Sequence, residues 1–252
     1  MKTAHLFASA LVVSLVGAAG CSSGKSTPTS SDYDNVAQTT SALVINASGG
    51  GEIGSMSATA NLALGTTPLG VTANASGSFG TSTAGVDYTF DVSCTDSSGA
   101  ALPHCGKTTN TAQANVTWSG NLQVPDITAA VSRQGDWTLS GLQTPTATFG
   151  GSGTFTFAAN VQSIFAGGTN ASLNLDYSAT YNAVTISSGH ATGGTIEYNV
   201  NATSDTSSAN AQTAGNFSID ALVAFNPDGS ATLTLDGSHT YTISAAGVVV
   251  KI

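Results

Sequence analysis

The sequence predicts an all-β protein, an antiparallel β-sandwich or curved half-barrel of about 11–13 strands led in by one short helix. Three observations carry that expectation. Only 8 % of the 252 residues are charged, and Ser, Thr, Asn, Gly and Ala stand where a helical surface would carry Lys, Glu and Arg. Apolar and polar residues alternate strictly over many segments from Val71 onward. Glycine- and proline-containing turns separate those segments.

The first element is an address. Lys2 and His5 precede an uncharged run from Leu6 to Gly20, which ends at Cys21. A membrane-crossing helix needs about 20 apolar residues, so this run is short for a permanent span and reads as an export signal over 1–20. Ala18-Ala19-Gly20-Cys21, behind Leu15 and Val16, resembles the lipobox of bacterial lipoproteins. The resemblance covers about 25 residues and implies a diacylglyceryl group on the Cys21 thiol, cleavage just before it and acylation of the new amine. The family usually carries Leu where Ala18 stands, and ordinary cleavage near Ala18 or Gly20, leaving Cys21 as a free thiol, is the alternative. Ser22, where the family places Asp for inner-membrane retention, implies the outer membrane. Residues 21–31, with no apolar side chain after Cys21, read as a flexible tether between lipid and body.

A single β-rich domain is expected over 32–252. Val36, Thr40, Leu43, Val44 and Ala47 share a helical face, with Ser31 or Asp32 as cap and Gly49 as terminator, predicting a helix over 32–47. Met56 to Leu64 alternates like a strand but is rich in alanine; strands are expected from about residue 56. Clear alternation follows at Val86 to Cys94, Ala112 to Trp118, Phe155 to Val161, Leu173 to Tyr181, Ile196 to Val200 and Phe217 to Phe225. The pairs Leu233 with Leu235 and Tyr241 with Ile243 complete it. Asn226-Pro-Asp-Gly229 and Asp236-Gly237 read as hairpin turns. Gly150-Gly-Ser-Gly153 reads as a tight turn or a bulge, and Ser172 to Thr185 is long enough to bend round a curved sheet. Once Cys21 is assigned to the lipid, Cys94 and Cys105 are left as a disulfide pair in an exported chain, closing the turn-rich loop Thr95 to His104 and stapling two neighbouring strands.

The chemistry-bearing residues are sparse. A net charge of −9 excludes nucleic acid as a partner, since phosphates need a basic surface. Gly49, Gly51 and Gly54 match a dinucleotide-binding spacing but lack the strand, helix and acidic residue that give it meaning. Asp87 and Asp91 lie four residues apart on one strand face, roughly 13 Å, too far for paired-carboxylate chemistry. Asp176, Glu197 and Asp220 occupy polar-face positions of three strands, the one candidate polar site. His104, His190 and His239 fall in separate turn-like segments and suggest no metal trio. No cofactor is implied, and no nucleophile–base motif is present. Trp118 and Trp137 follow the apolar register as core residues. The expectation is therefore a non-enzymatic envelope lipoprotein, a binding or structural module held to the membrane through Cys21. The alternatives are a carrier of an apolar ligand in the curved sheet, a cell-surface enzyme acting on polysaccharide, and an outer-membrane β-barrel.

Overall fold

A computed structural model describes residues 25–45, 51–74, 77–165, 167, 169–208 and 211–252. Two helices come first, α1 (Ser30–Val44) and α2 (Gly51–Ala63). Then follow β1 (Thr72–Ala73), β2 (Phe79–Thr83), β3 (Val86–Thr95), β4 (Thr111–Val124), β5 (Ile127–Ser140) and β6 (Ala147–Gln162). The remainder are β7 (Asn170–Ser187), β8 (His190–Ser208), β9 (Ala211–Phe225), β10 (Ala231–Leu235), β11 (His239–Ile243) and β12 (Val249–Lys251). Among the described residues these twelve strands form one sheet in sequence order, every neighbouring pair antiparallel. The half-barrel form of the expectation therefore holds and the two-sheet sandwich does not. Alternation alone reports one buried face per strand, which either architecture supplies.

That buried face is the concave one. In β5 every second residue from Ile127 to Leu139 is buried and every intervening one, Thr128 to Ser140, is exposed. The sheet curls because its long strands bend. The Gly150–Gly153 run is a bulge rather than a turn: the β6–β7 register slips between Phe149 and Gly151. Gly151 has φ +136° and sits where a Cβ would meet the Asp136 carbonyl oxygen at 2.1 Å. A second irregularity follows in β7 between Asn182 and Thr185, with Ala183 at φ 49°. Bulges in adjacent strands sharpen twist and curvature together. The Asp236-Gly237 turn has positive φ at both residues, 46° and 67°, as a primed hairpin turn requires.

The curl is filled by the two helices. α2 touches β3 and β4 on one side and β7 and β8 on the other, so the sheet wraps it; α1 lies against α2 and β10, β11 and β12. Val36, Val44 and Met56 are fully buried, and helix and strand side chains form a single apolar core. Each such side chain contributes about 1.5–3 kcal/mol.

Three expectations are corrected here. The helix expected over 32–47 spans Ser30–Val44, capped by Thr29 rather than Ser31 or Asp32; Asp32 instead closes a capping box, its Oδ2 accepting from the Thr29 amide at 2.8 Å. Residues 46–50, including Gly49, lie outside the described residues. The stretch from residue 56, expected as strand, belongs to α2. Ala, Met and Leu favour helix there, and burial on nearly every side leaves no polar face for a 3.6-residue period to reveal. The tether expected over 21–31 ends sooner. The Ser26 amide donates to the Asn216 carbonyl at 2.7 Å, and Lys25 Nζ donates to Asn201 Oδ1 at 3.1 Å and to Ser218 Oγ. The chain thus rides the outer face of β8 and β9, then crosses the rim so that Asp32 meets the inward Ser204 hydroxyl at 3.1 Å.

Cys94 and Cys105 form the expected disulfide, with Cα atoms 5.3 Å apart. It ties the β3–β4 loop back onto β3 rather than joining two strands. The loop also covers the end of α2: a Cβ on Gly65 would lie 3.0 Å from the Cys105 carbonyl oxygen. Outward positions of the long strands, such as Ser172, Asn174, Asp176, Ser178 and Thr180 in β7, are exposed and polar. That is no lipid-facing band, and the outer-membrane β-barrel alternative falls. Among the described residues no helix is long and apolar enough to cross a membrane.

Candidate functional site

The three carboxylates singled out from the sequence share the outer face but do not converge. Asn199 pairs with Asp220 and Leu222 with Glu197, so Glu197 and Asp220 are diagonal neighbours on adjacent strands. They line one shallow open depression. Asp176 is registered against Asn201, four residues along β8 from Glu197, a distance of roughly 13 Å. Glu197 Oε1 accepts from Asn182 Nδ2 at 3.0 Å and Asp220 Oδ1 from Asn199 Nδ2 at 2.8 Å. Asparagine ladders thus hold these carboxylates on a solvated face. His104, His190 and His239 lie in the β3–β4 loop, at the start of β8 and at the start of β11. Among the described residues no three His, Cys, Asp or Glu side chains are grouped to hold a metal ion. Trp118 and Trp137 are core residues, 3 % and 2 % exposed.

The most charged environment lies inside. Arg133 follows Ile127, Ala129 and Val131 on the inward face of β5, and its side chain is fully buried with Glu52 of α2. Arg133 Nε lies 3.1 Å from Glu52 Oε1 and Nη2 3.2 Å from Oε2. Nη1 donates to the Val116 carbonyl at 2.7 Å, and Nη2 also donates to Tyr181 OH at 3.2 Å. The guanidinium carbon stands 4.3 Å from the Trp137 ring centroid and 5.2 Å from that of Trp118. Glycines make the space: a Cβ on Gly135 would lie 2.7 Å from Arg133 Nη2, and one on its registered partner Gly153 would lie 3.1 Å from Tyr181 OH. Burial opposes both charges. It pushes Glu52 up against the pull of Arg133, while Glu52 and Tyr181 together hold the guanidinium above its usual value. Sealed from solvent, the pair fixes where α2 sits within the sheet.

Sequence reasoning missed this cluster, though a signal existed. One of the five Lys and Arg residues stands in the apolar register of a strand, two positions before a glycine. A charge there needs a buried partner.

A cleft opens beside α2, with a volume of about 480 Å³. Ile53, Ser55 and Ala58 of α2 form one wall, Thr83 and Phe90 of β2 and β3 another, and Ala245 and Ala246 of the β11–β12 turn a third. Residues from both ends of the sheet therefore face each other across it. A second cavity of about 340 Å³ lies round the corner at Ile45, between Gln38 of α1, the β4–β5 turn and Val248. Helix side chains occupy the lumen, and these two openings are the hollows that lie against the helices among the described residues. The chain matches no known protein family, no curated protein and no solved structure, and any functional reading rests on its own residues.

Proposed function

We propose that the chain is a lipid-anchored envelope protein of the outer membrane whose folded body is a binding or structural module. The observation that carries this reading is the join between address and body. The lipobox-like Ala18-Ala19-Gly20-Cys21 stands four residues before Lys25, which is bonded to the outer face of β8 and β9. Four residues reach at most about 14 Å. A lipid on Cys21 would hold the body close to the bilayer by that face, while α1 enters the lumen and ties anchor to core. Two or more acyl chains make such anchoring stable where one does not.

The polar outer face suits a body standing in water beside a membrane. The intact mass of the natively produced protein tests the reading: a diacylglyceryl and acyl addition at Cys21 is expected, and an unmodified N-terminal residue overturns it. Cys21→Ala is expected to move the protein from the membrane to the aqueous fraction.

A further inference from the structure

We propose that the 480 Å³ cleft between α2 and the two ends of the sheet binds one small neutral amphiphile, an aliphatic body bearing a single hydroxyl, ester or amide group. The inference rests on the binding half of the function above and not on the lipid anchor. Three features of the cleft select that ligand.

The first is charge. Among the described residues no Asp, Glu, Lys or Arg lines the cleft and His190 is its one basic side chain, so an ionised headgroup buried there would find no carboxylate, ammonium or guanidinium to pair with. The second is an unpaired hydroxyl. Ser55 is 2 % exposed and lines the cleft, and its Oγ has no hydrogen-bond partner among the described residues. Helix serines commonly bond back to a carbonyl one turn earlier, as Thr59 does to Ser55 at 2.7 Å. Ser55 does not, and one polar group on a ligand would supply what it lacks. The third is the mouth. Leu69, in the Pro68-Leu69-Gly70 turn, is fully exposed although it borders an apolar cleft. An aliphatic chain lying against Ile53 and Phe90 would give Leu69 an apolar surface to cover. The volume falls in the range of small-molecule sites, about 300–1,000 Å³.

The test uses the purified full chain and the neutral fluorophore N-phenylnaphthylamine, displaced in turn by dodecanol, laurate and dodecylamine. Saturable binding of one probe per chain is expected, with dodecanol displacing it at a concentration roughly tenfold or more below either ion. Ala58→Trp, which fills the cleft from α2, is expected to abolish probe binding while circular dichroism stays unchanged. Should that variant not fold, Leu69→Asp on the exposed turn takes its place and is expected to weaken binding. Ser55→Ala is expected to weaken dodecanol by about three- to tenfold and to leave dodecane unchanged. Absence of saturable binding, equal displacement by the ions, or undiminished binding to a folded Ala58→Trp protein overturns the proposal. None of these readouts depends on whether Cys21 carries a lipid, which the intact mass decides separately.

Discussion

The two helices share one lumen and one apolar core but are fixed in it by different polar contacts. α2 sits under the long strands and is fixed by apolar packing and one dry ion pair, Glu52 with Arg133, both side chains 0 % exposed. α1 buries Val36, Leu43 and Val44 in the same core and meets Tyr177 of β7 through Thr39, but toward the short strands it adds a set of polar bonds. Asp34 accepts from Tyr241 OH at 2.7 Å and pairs with Lys251 Nζ at 2.8 Å; Tyr33 OH donates to Asp236 at 2.7 Å while its ring stacks on His239. Ser41 Oγ donates to the Gly247 carbonyl at 2.9 Å. The strands explain the difference. β4 to β9 span 14–19 residues and hold one another by their ladders, whereas β10, β11 and β12 span 5, 5 and 3. Ladders that short are marginal alone, and α1 supplies the side-chain bonds that keep this end of the sheet in place.

The largest effect is expected from breaking the dry pair on one side only. Arg133→Met leaves Glu52 buried without its partner and should destabilise the fold by about 3–5 kcal/mol in denaturant titrations. Glu52→Leu combined with Arg133→Met should recover most of that loss, because two desolvated charges are removed together. A double variant as unstable as the single would show that the pair does more than compensate its own burial.

Next comes the disulfide that closes the loop over the end of α2. Reduction, or Cys94→Ser with Cys105→Ser, should cost about 3 kcal/mol on the chain-entropy estimate. Hydrogen exchange is expected to quicken in α2 before α1. Asp34→Asn addresses the other helix. It weakens the bond from Tyr241 and the partly exposed pair with Lys251, and should cost about 1 kcal/mol, with the loss seen first in β11 and β12 exchange.

Alkali should sharpen the contrast further. Burial, reinforced by the bond to Asp236, pushes Tyr33 up from 10.0 to about 12, and Tyr241 is raised by burial and by Asp34. A phenol whose folded value is raised lends stability that is complete below its unfolded value and lost as pH climbs through the folded one. Stability should therefore fall from about pH 10 through about pH 12. Tyrosinate absorbance should rise only as the chain unfolds, since Tyr88, Tyr177, Tyr181 and Tyr198 are raised by burial too. Early titration of two tyrosines in a folded chain would mark α1 as loosely docked. The smallest effect is a gain. Ser55→Ala removes an unpaired buried hydroxyl and should raise the denaturation midpoint of the unliganded protein by an amount worth about 1 kcal/mol.

Strands are legible wherever one face is wet, because a period of two survives in the residue types themselves. From Val86 to Ile243 the alternating segments are strands, and Pro103, Pro125, Pro145 and Pro227 all fall between them. The same test fails for α2, which is buried on nearly every side and so carries no contrast to read. The candidate site follows the same division. Asp176, Glu197 and Asp220 could be placed on outward faces from the sequence, but how close they come depends on strand register, and register set Asp176 apart. Glu52 and Arg133 are 81 residues apart, and only the folded chain makes them partners.

By itself, then, the order of residues determined the strands, their turns, the pairing of Cys94 with Cys105 and a face short of charge, because each is encoded within a few neighbouring positions. Tertiary structure alone decided that the strands make one curled sheet, that two helices fill it, and that an ion pair and an open cleft lie against α2. Those outcomes depend on contacts between distant segments, where many registers satisfy the same local pattern and packing selects one.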